Sequence, residues 1–460
     1  MRDLAGLAVP WSGAPAASDT VTDDQHLESR VIRRLWLPLA ATWLMMAAEG
    51  PFVAALIARL TDPEVNLAAF GVALSIGMLV EAPVIMMMSA ATALVTDRRA
   101  YAGLRRFAFG LNLAVTIVIL AILVPPVFDL LAIGVIGLPE SVARLTALGV
   151  AALVPWPAAI GFRRFYQGIL IRHGATRRVA YGTVVRLAGM AATGVLLAAG
   201  GAVPGVVVGT AALSAGVTLE AVATRWMAAA AVRAVRERVE GTESAELTFP
   251  AIVRFYLPLA VTSLLTLGAH PLVTLFVGRS RLALESLAVL PVLNSLVFLH
   301  RSPGLAFQEV VIALLGSTRD AYRSLRRFAG GLGLACSGVL AAVAFTPLAG
   351  VWFERVSGLS PELSALALGP VRILALMPAF EVLLSLRRGV LVHTRATRRV
   401  TAATAIEVGV LLAMLAVTAG PLSMIGVVAA ASGIVAGRVA ALAFLHGAAA
   451  GMPASARKAE

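Results

Sequence analysis

Long apolar runs, each ended by a cluster of charge or by proline and glycine, set the rhythm of this chain. They fall at 35–58, 67–95, 107–132, 142–162, 180–200 and 203–230, and then at 254–278, 286–316, 326–350, 363–384, 400–418 and 421–447. A helix rises about 1.5 Å per residue and satisfies its own backbone hydrogen bonds, so roughly 20 apolar residues suffice to cross a bilayer. About twelve transmembrane helices are therefore predicted, in two sets of six separated by the polar stretch from Arg233 to Glu246. The division read from this pattern is a cytoplasmic tail at 1–32, a six-helix lobe at 33–232, a cytoplasmic linker at 233–250, a second six-helix lobe at 251–447 and a tail at 448–460.

The two sets are repeats. LPLAAT from Leu37 returns as LPLAVT from Leu257, 220 positions later, and at that offset Pro51 meets Pro271, Arg59 meets Arg279 and Pro83 meets Pro303. LRRFA from Leu104 and ATRRV from Ala175 return at Leu325 and Ala396, both 221 positions later. Duplicated halves imply two bundles related by a pseudo-two-fold axis. Because each half has six helices, both enter from the same side and the repeats are parallel.

Composition agrees with the pattern. Apolar residues make up 59% of the chain, charged residues 14%, and the mean hydropathy is +0.89. So few charges cannot clothe a water-facing surface, which excludes a set of soluble domains. The net charge of +13 comes almost wholly from arginine, Lys458 being the one lysine, and the arginines gather in the breaks between apolar runs. That is the distribution of cytoplasmic loops beside an anionic leaflet and not of a nucleic-acid-binding surface, so no nucleic-acid partner is expected. Residues 1–30 carry Asp19, Asp23, Asp24 and Glu28 without a sustained apolar core, unlike a signal peptide. The lone Cys336 leaves no intrachain disulfide and no cysteine metal site.

Orientation follows from counting arginines. The second loop has Arg98, Arg99, Arg105 and Arg106, the fourth Arg163, Arg164, Arg172, Arg177 and Arg178, and the eighth Arg319, Arg323, Arg326 and Arg327. The tenth has Arg387, Arg388, Arg395, Arg398 and Arg399, whereas alternate loops carry two at most, such as Arg279 and Arg281. Positive-inside then puts both termini in the cytoplasm of a multi-pass protein of the inner (plasma) membrane.

A charge at mid-bilayer costs at least about 2.5–3.5 kcal/mol, so each one needs a partner or a wet cavity. Glu49 stands before Pro51 in the first run and Glu81 before Pro83 in the second; His270 precedes Pro271 and Arg301 precedes Pro303 in the matching runs of the second half. Glu81 and Arg301 are repeat equivalents, and Gly50 is equivalent to His270. Proline inside a helix frees carbonyls that lipid cannot satisfy. Four helices broken at matched depth, each with a polar side chain at the break, predict a central cavity between the bundles that takes a substrate or ion. The plainer reading is that the prolines kink helices for packing and the charges form static pairs. Further candidates are Arg186 and Glu407, which are repeat equivalents of opposite sign that could meet between bundles, and Glu220, Arg225 and Arg438, which could line the same cavity or pair within their helices. Glu309 lies on the same helical face as Arg301, and Arg372 and Glu381 border the tenth run. Small-residue pairs at Ala212/Gly216 and Gly433/Gly437 read as close helix crossings, and Met86, Met87 and Met88 as core filler. The chain has no P-loop, HExxH or GxSxG, so neither ATP-driven pumping nor hydrolysis has a basis, and no enzyme activity, catalytic residue, metal site or cofactor is expected.

FYLPLA from Phe255, HPLVTLFVGR from His270, ESLAVL from Glu285 and PVRILALMP from Pro370 carry a resemblance. With the parallel six-helix repeat, the chain resembles the multidrug/oligosaccharidyl-lipid/polysaccharide (MOP) flippase superfamily, which includes the MATE efflux transporters, over most of 33–447. The second half looks most like the progressive ankylosis protein family. The resemblance implies a MATE-like all-α fold and export by alternating access, with Na⁺ or H⁺ as the coupling ion. It further implies, from the ankylosis-type relatives, a small organic or phosphate-rich anion as cargo. The expected function is therefore secondary-active export of such an anion by a monomer in the bilayer. Multidrug cation efflux is the alternative; a lipid-linked flippase or a non-transporting scaffold is the more distant one.

Overall fold

Proline and short polar side chains decide where the apolar runs start to coil. Pro63 and Pro361 sit in the first turns of helices, and Pro155 starts the second segment of a helix broken at Leu153 and Val154, where a missing N–H costs nothing. Asp97 caps the helix that follows it, its carboxylate accepting from the N–H groups of Arg99 and Ala100 at 2.9 Å. Partial burial pushes that carboxyl up, but the hydrogen bonds from Ala100, Thr96 and Arg99 outweigh it and hold the pKa below the ordinary value.

The computed structural model describes residues 29–237, 248–315, 319–394 and 396–450. Twelve helices are long and apolar enough to cross a membrane. They are α1 (Ser29–Ile57), α2 (Pro63–Leu94), α3 (Arg98–Ile122), α4 (Glu140–Arg172), α5 (Thr176–Gly200) and α6 (Gly205–Met227), followed by α7 (Phe249–Gly278), α8 (Ala283–Leu314), α9 (Ala321–Phe345), α10 (Pro361–His393), α11 (Arg398–Ala419) and α12 (Gly426–His446). The chain is thus a multi-pass membrane protein. A short linker helix, Ala229–Glu237, follows α6. Of the expected tails and linker, 1–28, 238–247 and 451–460 lie outside the described residues, as does Arg395.

Two boundaries differ from the sequence reading. Arg163 and Arg164 lie inside α4, and Arg387 and Arg388 inside α10, although their pairing and position read as loops. Apolar periodicity simply continues past them: Phe165, Tyr166, Ile169 and Leu170 are buried, as are Val390 and Leu391. The prolines also divide unevenly. α1 breaks at Ala48 and α7 at Gly268, just ahead of Pro51 and Pro271, and α2 narrows to a 3-10 turn over Ala82–Val84, which contains Pro83. α8 instead runs unbroken through Pro303, contrary to expectation. The Ser302 hydroxyl donates to the Leu299 carbonyl at 2.9 Å, the group that Pro303 leaves without its amide donor, so the helix continues.

Within each half, α5 pairs with α6 and α11 with α12, while α4 and α10 pack along α2 and α8 respectively. Gly216 lies against the Arg186 backbone and Gly437 against the Glu407 backbone, at these crossings. The first and seventh helices cross over. Ile32 of α1 belongs to a core cluster with Phe307, Val310, Leu325 and Leu386 of the second half. Ile252 and Tyr256 of α7 join Met87, Tyr101 and Phe165 of the first half. Hydrogen bonds related by the repeat fix both crossings: Trp36 Nε1 donates to the Pro303 carbonyl at 3.0 Å, and the Tyr256 hydroxyl to the Pro83 carbonyl at 2.5 Å.

At mid-depth α1 meets α8 through Gly50, where a Cβ would come within 2.9 Å of the Ser295 Cβ. Gly50→Ala is expected to destabilise by about 1–3 kcal/mol through overpacking, read as a lowered melting temperature in detergent. Adding Ser295→Gly should recover most of that loss. Failure to recover would mean that the contact does not hold the halves together.

Candidate functional site

The helix breaks deliver charge to the interior of each lobe. In the first lobe Glu49, at the start of the second segment of α1, accepts from Arg186 of α5. Glu220 of α6 is fully buried and accepts from Arg163 of α4 and, at 3.1 Å, from the Gln167 amide one turn further on. Glu81 is buried at the end of the first segment of α2, with Arg164, Arg163 and Arg186 as its charged neighbours. One oxygen of Glu49 and one of Glu81 accept no hydrogen bond from the described residues. Three carboxylates thus stand against Arg163, Arg164 and Arg186, and the charges balance.

The second lobe uses the equivalent helices with a different sign balance. Glu381 of α10 is the hub: Arg301 of α8 donates to it through Nε at 2.9 Å and through a second nitrogen, and Arg438 of α12 donates at 2.8 Å. Arg438 also lies 2.9 Å from Glu407 of α11, and Arg388 of α10 lies 3.8 Å from Glu407 while donating to the Thr404 hydroxyl at 3.2 Å. Three arginines face two glutamates, leaving one positive charge in excess. The Glu381 side chain is 2% exposed and that of Arg301 22%, with Arg388 and Glu407 similarly exposed, so the cluster is buried at Glu381 and reaches the protein surface through the other members. His270, at the break of α7, is exposed and has Arg301 as its charged neighbour.

Of the residues singled out from sequence, Glu49, Glu81, Arg186 and Glu220 come together in the first lobe, and Arg301, Glu381, Glu407 and Arg438 in the second. The pairings differ from those expected. Arg186 and Glu407 do not meet between bundles; each is neutralised inside its own lobe, where a low-dielectric interior holds opposite charges at close range. Nor does Glu220 pair within its helix, since Arg225 stacks over the Tyr166 ring at 5.2 Å. Arg372 lies apart, donating to the Ala344 carbonyl at 3.2 Å. Glu309 is exposed and pairs with none of the described residues. The sequence reading missed Arg163, Arg164, Gln167 and Arg388, which it counted as loop charge or passed over. The signal was present in the apolar residues that follow each arginine pair, Phe165, Tyr166, Ile169 and Leu170 in one case and Val390 and Leu391 in the other.

A second symmetric arrangement closes the end of the molecule opposite the arginine-rich loops. Arg59, after α1, donates to the carbonyls of Arg355 and Val356 at 2.6 and 2.9 Å, and Arg279, after α7, donates to the Gly134 carbonyl at 2.6 Å. Each acceptor lies in a short wide helical turn of the opposite lobe, Leu130–Ile136 or Val351–Val356. The carbonyls at the end of such a turn lack intrahelical donors, and a guanidinium satisfies them. The two lobes are thereby bolted to each other at this end, across the same pseudo-two-fold axis that relates the repeats.

Solved structures share the architecture. The chain aligns with the inward-facing conformation of a multidrug resistance MATE family transporter of the MOP superfamily at TM-score 0.69 and 16% identity, over 91% of this chain and 97% of that one. It aligns with the lipid II flippase MurJ in an inward closed conformation at TM-score 0.67 and 13% identity, over 91% and 89%. It aligns with the eukaryotic MATE transporter AtDTX14 at TM-score 0.63 and 13% identity, over 94% and 98%. No protein-family model and no curated protein matches the chain, and the narrower ankylosis-type likeness finds no support among the solved structures. This is the twelve-helix, two-lobe fold of the MATE transporters, shared over most of its length with MurJ and assembled here from parallel repeats that share a fold but not their buried charges.

Proposed function

We propose that this chain is a secondary-active transporter that exports a small organic or phosphate-containing anion by alternating access, as a monomer in the inner (plasma) membrane with its arginine-rich end in the cytoplasm. One observation carries the anion reading: the second-lobe cluster holds more arginine than carboxylate, and Arg301, its member beside Pro303 in the repeat position of Glu81, is one of its partly exposed arginines. A guanidinium with spare N–H edges suits a carboxylate or phosphate. The fold supports the alternating-access part. The seal made by Arg59 and Arg279 adds side-chain hydrogen bonds to backbone carbonyls to the apolar packing of Ile57, Ile136, Val277 and Phe353 at this end, and such bonds can be broken and remade as the lobes rock.

Coupling is assigned to Glu81, with Glu49 as the second candidate; both face Arg163 and Arg186. Each has a carboxylate oxygen without a hydrogen-bond donor, open to a proton or Na⁺. The same observation favours multidrug cation efflux as the second reading, in which the acids rather than Arg301 would touch the cargo.

Flux into and out of sealed vesicles, with labelled citrate, pyrophosphate or a dye cation under imposed Na⁺ or H⁺ gradients, separates the two. Arg301→Ala is expected to lose anion flux by about tenfold or more, the cost of one charge-assisted contact of about 1.5–3 kcal/mol. Glu81→Gln should abolish gradient-driven flux while expression stays normal. Anion flux unchanged in Arg301→Ala, with dye transport lost in Glu81→Gln, would replace the anion reading with the cation one.

A further inference from the structure

The arginine-rich end carries a site that the buried clusters do not use. Between the first three turns of α3 and the linker helix lies a cavity of about 520 Å³, lined by Arg98, Tyr101, Arg105, Arg106, Phe109 and Arg236. All four arginines are exposed, and no acidic side chain is among the described residues that line the cavity. None of the four donates to a carboxylate among the described residues. Two are instead held by aromatic faces, Arg105 over Phe109 at 5.1 Å and Arg236 over Tyr101 at 5.3 Å. Stacking fixes the plane of a guanidinium and leaves its N–H edges free, the arrangement that receives phosphate oxygens in pairs.

The depth of the cavity selects the source of that phosphate. Arg98 and Phe109 are eleven residues apart on one helix, about 16 Å along its axis. The site therefore runs from the water-facing end of α3 toward its apolar stretch, where Phe109 is 41% exposed beside the exposed Leu113. A soluble anion would use only the upper part. A phospholipid would place its phosphate among the arginines and its acyl chains along Phe109.

The repeat supplies a comparison. The 221-residue offset sets Arg326 against Arg105 and Gly330 against Phe109, so the second half keeps this arginine and lacks the ring that stacks on it. The groove of about 270 Å³ beside Arg326 lies against α10 through Ala379 and Leu383, a different face from the linker-side cavity.

We infer that this cavity binds the phosphate of an anionic phospholipid from the cytoplasmic leaflet. The test is retention of lipid by the full-length protein, purified in detergent, mixed with phosphatidylglycerol or phosphatidylcholine and weighed intact by native mass spectrometry. The wild type should retain phosphatidylglycerol in preference to phosphatidylcholine. Arg105→Gln/Arg236→Gln should lower that retention by at least about tenfold, each arginine near an anionic headgroup being worth about a decade or less. Arg326→Gln should leave it unchanged. Both substitutions lie on exposed positions, and an unchanged melting temperature checks that the double variant is folded. Equal retention of the two lipids, equal retention by the double variant, or displacement of phosphatidylglycerol by inorganic phosphate at matched concentration would each overturn the inference, the last by making the site one for a soluble anion.

Discussion

Glu381→Gln is expected to be the most damaging conservative substitution in the second lobe. Glutamine keeps the shape of the side chain and removes only its charge, so the loss measures electrostatics and not a cavity. Glu381 neutralises both Arg301 and Arg438, and the Arg438 side chain is 7% exposed. Removing one member of a buried ion pair typically costs about 3–5 kcal/mol, because the remaining charge cannot be rehydrated. Against a total stability of about 5–15 kcal/mol that is a large share. Thermal unfolding in detergent should show the variant melting far below the wild type, with poor yield. The companion substitution Arg438→Met should restore part of the loss by lowering the cluster's excess positive charge, since Arg388 remains beside Glu407. If Glu381→Gln melts with the wild type, the cluster is not organised around Glu381. Arg301→Ala offers the useful contrast. Its more exposed guanidinium can be lost with less effect on melting, so a drop in anion flux there reports on cargo rather than on folding.

The second large effect is expected from Arg59→Ala/Arg279→Ala. Both arginines are exposed, so each cross-lobe contact is discounted to about 1–1.5 kcal/mol from the value of a shielded charge-assisted bond. Together they should shift the balance between closed and open arrangements of this end by about 30- to 150-fold. Spin labels at Thr61 and Glu354, on opposite lobes beside the seal, would read the change as a longer distance distribution, with Cys336→Ser removing the native thiol. Each single substitution should give an intermediate shift, since the two contacts are equivalent through the repeat. A distance distribution identical in wild type and double variant would show that packing between α2 and α8, not the arginines, keeps this end shut.

These expectations draw on different levels of the molecule. The twelve spans, the two lobes and the pairing of their landmarks were legible along the chain, because the bilayer demands long apolar helices and a duplicated segment must fold the same way twice. The charged positions beside Pro51, Pro83, Pro271 and Pro303 were legible for the same reason: a costly residue at that depth stands out against an apolar background. Partner choice was not. Arg163 and Arg388 look like loop arginines until α6 brings Glu220, and α11 brings Glu407, across from another part of the chain. The crossing of α1 and α7 into the opposite lobes, and the reach of Arg59 and Arg279 to carbonyls nearly 300 and 145 positions away in sequence, leave no local trace. Periodicity and hydropathy report what each helix must bury, a property of one segment and its solvent. Which charges meet depends on distances between segments, and those exist only once the helices have packed.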